Sequence, residues 1–337
     1  MNLTLNKSVF TDITLYTEKI KREMHASGSA LVIMKDNRIV HEWYSGTHHF
    51  EKGARKIDIA SQFNVYSTRV TYIGLAIAIA LYEGYLKLDH KISNYLFEYD
   101  KEILGETTIR HLLTRCTGLK MKNNNKVERV FNAGTDIEGK KPDLLAKILF
   151  NVTGRTVNEV LTERVFHPLN WTHTEWVTEG KKTLVCDIHA PKSYPTFRLG
   201  SNIGNERNLY VNARELAMWG NLHLNKGLCD GKQILPKEIF DFVTTIQSPE
   251  TLPKHLPKFG FFWWVKNNEV SCDYNELSSH LPEGSYQILG ASGCSCTVIP
   301  QLNTVAVRMY NSLCENFDYI KDMERYGKLL ISCLKNL

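Results

Sequence analysis

No segment of the 337-residue chain approaches the ~20 consecutive apolar residues that cross a bilayer. The longest apolar run, residues 73–81, is too short and predicts a buried core helix. The first residues, MNLTLNKSVFTDITLYTEKIKREM, lack a basic stretch followed by an unbroken apolar one, so no secretory signal is expected and the cytosol is the expected compartment. No run of five like charges occurs, and 41 basic against 36 acidic residues leave only +5. That balance argues against a nucleic-acid partner and for an ordinary solvated surface. The eight cysteines form no CxxC pair, and neither HExxH nor HxxxH is present. Cys294 and Cys296 are the only close pair; on a strand they would share a face. With no histidine motif beside them, buried free thiols are expected, and neither a metal nor a cofactor.

What is present is enough apolar material for a large core, 43% of the chain. Helical spacing runs from Ser8 to Met24. Two β-rich runs then flank Lys35-Asp36-Asn37-Arg38, which predicts a hairpin. A helix is predicted from Ser67 to Glu83, closed by Gly84, and another behind a threonine cap at 107–116. Residues 120–130 are polar and are expected to be a loop. Further helices are expected at 142–151, 156–165, 212–224, 236–243 and 317–334. Strands are expected at 259–265, 285–289, 296–299 and 305–310. Strands at both ends with helices between them predict an α+β fold. Its antiparallel sheet would be built from both termini, with helices on its faces and a mainly helical insertion. The expected organisation is a single unit, with 1–60 and 255–337 forming the sheet region and 61–254 the helical region.

Several segments, in order, resemble the β-lactamase-related serine hydrolases: class C β-lactamases, penicillin-binding proteins and esterases of that fold. They are FNVYS (63–67), LAIAIALYEGYLKLD (75–89), TIRHLLTRCTGL (108–119), VTG (152–154) and HPLN (167–170). They continue with LYVNARELAMWGNLHLNKG (209–227), GKQILP (231–236) and GFFWW (260–264). The resemblance implies the β-lactamase/transpeptidase-like fold and marks Ser67 as the nucleophile position. On pattern alone Ser67 could equally be a helix N-cap.

Acyl transfer needs a base within hydrogen-bond reach of the serine hydroxyl. The family places a lysine one helical turn on, as SxxK, because i and i+3 share a helix face. Here the four residues are Ser67-Thr68-Arg69-Val70. Val70 cannot take a proton. Arg69 points elsewhere on the helix and is too basic to accept one. The family's Tyr-x-Asn motif falls on Ile137-Glu138-Gly139 or, with a shorter loop, on Gly139-Lys140-Lys141, and neither register supplies the phenol or the amide. Lys140 or Lys141 could substitute as a base; the plainer reading is a pair of solvated loop lysines.

The third motif position holds Ala291-Ser292-Gly293-Cys294. By resemblance this strand walls the cleft, and the backbone N–H groups of Ser67 and Cys294 would form the oxyanion hole, an element that survives side-chain substitution. Loss of the base alone costs about 10⁶-fold in a serine hydrolase. An oxyanion hole with binding retains roughly 10³–10⁴-fold over water. Two expectations therefore stand. One is a hydrolase-fold protein that holds a small-molecule or peptide-like ligand with little or no turnover. The other is an acyl hydrolase or transferase using Ser67 with a relocated base. Trp263, Trp264 and Tyr286 would either wall the cleft or pack in the core.

Overall fold

The computed structural model describes residues 7–122, 126–189, 195–270 and 275–337. Cys272 lies outside them. The main sheet has seven antiparallel strands drawn from both ends of the chain. They are β1 (Gly28–Lys35), β2 (Arg38–Gly46), β3 (Lys258–Phe259), β4 (Trp264–Val265), β5 (Tyr286–Leu289), β6 (Ser295–Ile299) and β7 (Thr304–Tyr310). Their spatial order is β3-β4-β5-β6-β7-β1-β2, so the last long strand, β7, pairs with the first, Ser29 lying opposite Tyr310. Asp36 and Asn37 both have positive φ, as a two-residue hairpin turn requires.

Helices α1 (Thr11–Glu23) and α5 (Tyr319–Lys335) pack together, with α1 on β1. Helix α4 (Ala213–Leu224) crosses β1, β6 and β7. It comes close because residue 220 is glycine: a Cβ there would stand 2.6 Å from Val305 and 2.8 Å from the Cys296 sulfur. Helix α2 (Val70–Tyr82) has eleven buried residues, 70–80, the pattern of an internal helix. Helix α3 (Pro142–Thr153) packs against it.

A buried ion pair joins the sheet to the C-terminal helix. The Arg308 guanidinium on β7 donates from Nη1 to Asp322 Oδ1 at 3.0 Å and from Nη2 to Oδ2, and both residues are buried. The Tyr16 hydroxyl of α1 reaches the same carboxylate at 3.1 Å. Both termini are thus tied to one point of the sheet.

Two expectations need correction. The polar stretch 120–130 is not simply loop, because Leu119–Met121 and Val127–Arg129 pair as a short hairpin. Residues 259–265 do not form one strand. They turn back at Phe262, with φ of 65°, so that β3 and β4 pair with each other. The middle of the chain also contains strands: Gln62–Asn64, Thr174–Trp176 and Leu209–Asn212 form a three-stranded sheet. In the two corrected stretches neighbouring residues pair with each other across a turn, whereas the three-stranded sheet joins segments far apart in the chain. Trp263, Trp264 and Tyr286 are buried; Trp263 and Tyr286 meet edge to face at 5.2 Å in the core.

Candidate active site around Ser67

The strand Gln62–Asn64 delivers the chain into a 3₁₀ turn, Tyr66–Arg69, that feeds directly into α2. Tyr66 has φ of 45°, a strained conformation for a bulky residue. Two contacts hold it there. Its N–H donates to Asn64 Oδ1 at 3.0 Å and its hydroxyl to Asp187 Oδ2 at 2.7 Å. The strained residue presents Ser67 half-exposed, while Tyr66, Thr68, Arg69 and Val70 around it are buried. Ser67 is not a helix cap: α2 begins at Val70, its N-cap position is Arg69, and no side chain caps it. Among the described residues the Ser67 side chain makes no hydrogen bond or ion pair.

Val70 lies one turn on, 1% exposed and part of the core. Arg69 is turned away, its guanidinium donating to the carbonyls of Tyr66 at 3.4 Å and Asn205 at 3.3 Å. Burial lowers its pKa to about 10, with Asp143 opposing that shift and Arg207 and Arg198 adding to it.

The turn between β5 and β6 lies against the Ser67 segment. The Ser292 hydroxyl donates to the Asn64 carbonyl at 3.0 Å, and Thr68 Oγ1 donates to the Cys294 carbonyl at 3.2 Å. A Cβ on Gly290 would stand 2.3 Å from the Val65 carbonyl oxygen, so only glycine permits this approach. Gly293, at φ of 82°, turns the chain into β6, and Tyr319 fixes the outer side by donating to the Ala291 carbonyl at 2.7 Å. Ala291 is exposed, whereas Ser292, Gly293 and Cys294 are buried. Burial pushes the Cys294 thiol up to about 11, so it is a neutral thiol at physiological pH.

The loop expected to hold the Tyr-x-Asn motif disperses its residues. Ile137 packs with Cys116, Leu252 and Leu256. Glu138 accepts from the Thr117 N–H at 3.0 Å and pairs with Lys141 at 2.6 Å. Gly139 is exposed, with open space where a Cβ would stand. Lys141 is therefore held in an ion pair. Lys140 has no ion-pair partner among the described residues. Withdrawal from water lowers its pKa to about 8, with Glu276 opposing and Arg115 and Arg69 reinforcing that shift. The Arg115 guanidinium lies over the rings of Phe259 at 4.9 Å and Trp264 at 5.1 Å and donates to the Glu138 carbonyl at 3.0 Å.

The sequence reading did not find the groups that bear on this site from far along the chain. Asp187 is 2% exposed, and burial raises its pKa to about 6 against the opposing effects of Tyr66, Arg198 and Asn64. Glu276 is likewise raised by burial, opposed by Lys140 and Arg115. Neither belongs to a motif; both are placed by the fold. Chemically, the arrangement offers a partly buried serine on a strained turn and a second backbone segment docked beside it. It has no proton acceptor one helical turn from the serine. Among the described residues no group of three or more His, Cys, Asp or Glu is placed to hold a metal ion, and no helix is long and apolar enough to cross a membrane.

The likeness to known proteins spans almost the whole chain. Residues 17–328 match the profile of the beta-lactamase family. An uncharacterized protein of Alkalihalophilus pseudofirmus is 39% identical over 98% of this chain and 99% of its own. A class C beta-lactamase of solved structure superposes with a TM-score of 0.79 at 13% identity, covering 98% of both chains. EstCE1, a hydrolase with promiscuous acyltransferase activity, does so with a TM-score of 0.75 at 17% identity, covering 97% of this chain and 98% of its own. A strained turn carrying a half-exposed serine into a buried helix, walled by a hairpin of a sheet built from both termini, thus lies within a match of this extent, and the chain belongs to the beta-lactamase family.

Proposed function

We propose that this protein is a serine-hydrolase homologue that holds a small acyl or peptide-like ligand in the cleft at Ser67 and turns it over little or not at all. The observation that carries this reading is Val70. It occupies the turn that faces Ser67, is 1% exposed and packs into the core, so no base acts from that face. The backbone N–H groups of Ser67 and Cys294 would remain as oxyanion donors, because they do not depend on side-chain identity. A reducing compartment, the cytosol, suits the buried free thiols of Cys116, Cys186, Cys294, Cys296 and Cys333.

A second reading has one observation in its favour. Lys140 is unpaired among the described residues and its pKa is lowered to about 8, a value useful to a general base, so it could serve as a relocated base. Labelling with a fluorophosphonate, followed by intact mass, separates the two. The expected result is no adduct on Ser67, with p-nitrophenyl ester and β-lactam hydrolysis at background. Rapid labelling and turnover lost in both Ser67→Ala and Lys140→Gln would establish the second reading instead.

A further inference from the structure

Beside α3 lies a groove of about 730 Å³ that does not include Ser67. That volume is in the range of pockets that hold small organic ligands. Its walls include three large apolar side chains left open to water: Met121, 38% exposed, Phe150, 52%, and Ile203, 46%. Such side chains scattered singly need no explanation, but three around one concavity mark a binding surface.

The same groove is lined by lysines 122, 140, 141 and 147 and by one acid, Asp143. Lys122 pairs with Glu128, Lys141 with Glu138 and Lys147 with Glu98. Of these lysines, Lys140 alone has no ion-pair partner among the described residues; it lies in the field of Glu276, which favours its charged form, and in the opposing fields of Arg115 and Arg69. The Asp143 carboxyl is raised by burial, opposed by the fields of Arg69 and Arg207 and reinforced by Glu206.

Helix α3 starts in this wall. Its N-cap, Lys141, provides no side-chain cap, and Pro142 fills the first position, so the N–H groups of the first turn lack side-chain acceptors. Asn205, which also lines the groove, receives Arg69 on its backbone carbonyl; its buried side-chain Oδ1, an acceptor, has no hydrogen-bond partner among the described residues and does not favour an anion.

From the unpaired Lys140, the uncapped start of α3 and the open apolar walls, we infer that this groove binds an amphiphilic monoanion: a carboxylate head on an unbranched apolar chain, of the fatty-acid type. The head sits at Lys140 and the first turn of α3, and the chain lies along Phe150, Ile203 and Met121. Ser67 is not among the residues that line the groove, so the inference rests on the reading in which Lys140 does not serve that serine as its base.

The test is calorimetric titration of the full chain with decanoate, decanol and decyltrimethylammonium, each below its micelle concentration. The expected result is one saturable equivalent of decanoate, bound at least tenfold more tightly than decanol, with no binding of the cation. Lys140→Gln and Phe150→Ser should each weaken decanoate at least tenfold, with unchanged thermal unfolding as the control for folding. Ser67→Ala should leave the affinity unchanged. Equal binding of decanol and decanoate, an unaffected Lys140→Gln protein, or the absence of saturation would overturn the proposal. Loss of decanoate binding in Ser67→Ala would also overturn it, by placing the ligand in the Ser67 cleft.

Discussion

The backbone N–H of Val70 donates to the carbonyl of Ser67, so the side chain at position 70 is held one 3₁₀ turn after the serine, on its own side of the helix. A chain with an ionisable group at that position would have a base in reach. This one has an isopropyl group locked into the core, and the chemistry expected of Ser67 follows from that relationship.

Val70→Lys should place an amine on the face of α2 that carries Ser67. The site is 1% exposed, so the longer side chain should destabilise the fold by about 1–3 kcal/mol through overpacking. Burial would also lower the lysine pKa toward a useful value. Acylation by an activated ester should rise by roughly 10²-fold, and a covalent adduct on Ser67 should accumulate, visible by intact mass. A folded Val70→Lys protein that forms no adduct would mean that the oxyanion donors or the cleft are closed as well.

Gly290→Ala tests how the hairpin turn is docked. The new Cβ would stand 2.3 Å from the Val65 carbonyl oxygen and 3.3 Å from Thr68 Oγ1. The expected loss is about 1–3 kcal/mol in urea unfolding. Gly139→Ala, where no atom lies within 4 Å, serves as the control and should stay within about 0.5 kcal/mol of the parent. Equal stability of the two variants would show that the turn does not press on the Ser67 segment.

Asp187 predicts a pH dependence. Burial raises its carboxyl to about 6 in the folded protein, above the value in an unfolded chain. Between those values the folded state holds a proton that the unfolded state has released. The stabilisation from this group is therefore complete at low pH and is lost as pH rises through about 6. The difference corresponds to about 3 kcal/mol. Asp187→Asn cannot titrate, so the stability gap between variant and parent should shift in favour of the variant from pH 4 to pH 7. A gap that stays constant over that range would contradict the prediction.

Asp322→Ala should leave the fully buried Arg308 guanidinium without its counter-charge. The expected cost is about 3–5 kcal/mol, measured by denaturant unfolding. Adding Arg308→Met should recover a large part of that loss, because it removes the uncompensated charge. No recovery would indicate that Asp322 acts mainly through Tyr16, which donates to the same carboxylate.

The sequence by itself determined the sheet from both termini, through period-two and helical hydrophobic spacing and the turn chemistry at Asp36-Asn37. Ser67 as the nucleophile position, and Val70 where the family has its lysine, came from the ordered resemblance; on pattern alone Ser67 read equally as a helix cap. The sequence did not determine that 120–130 contains a hairpin, because its strands are polar and pair with each other, or that 259–265 folds back on itself, because a phenylalanine at position 262 does not signal a positive-φ turn. Nor could it separate Lys140 from Lys141. They are adjacent in the chain, and only packing decides that Lys141 pairs with Glu138 while Lys140 stands unpaired beside Arg115 and Arg69. Asp187 lies 121 positions from Tyr66, whose hydroxyl donates to it, and Asp187 carries no motif. Ionisation at this site follows from burial and from charges brought together through space. Those are properties of the tertiary structure that no linear spacing encodes.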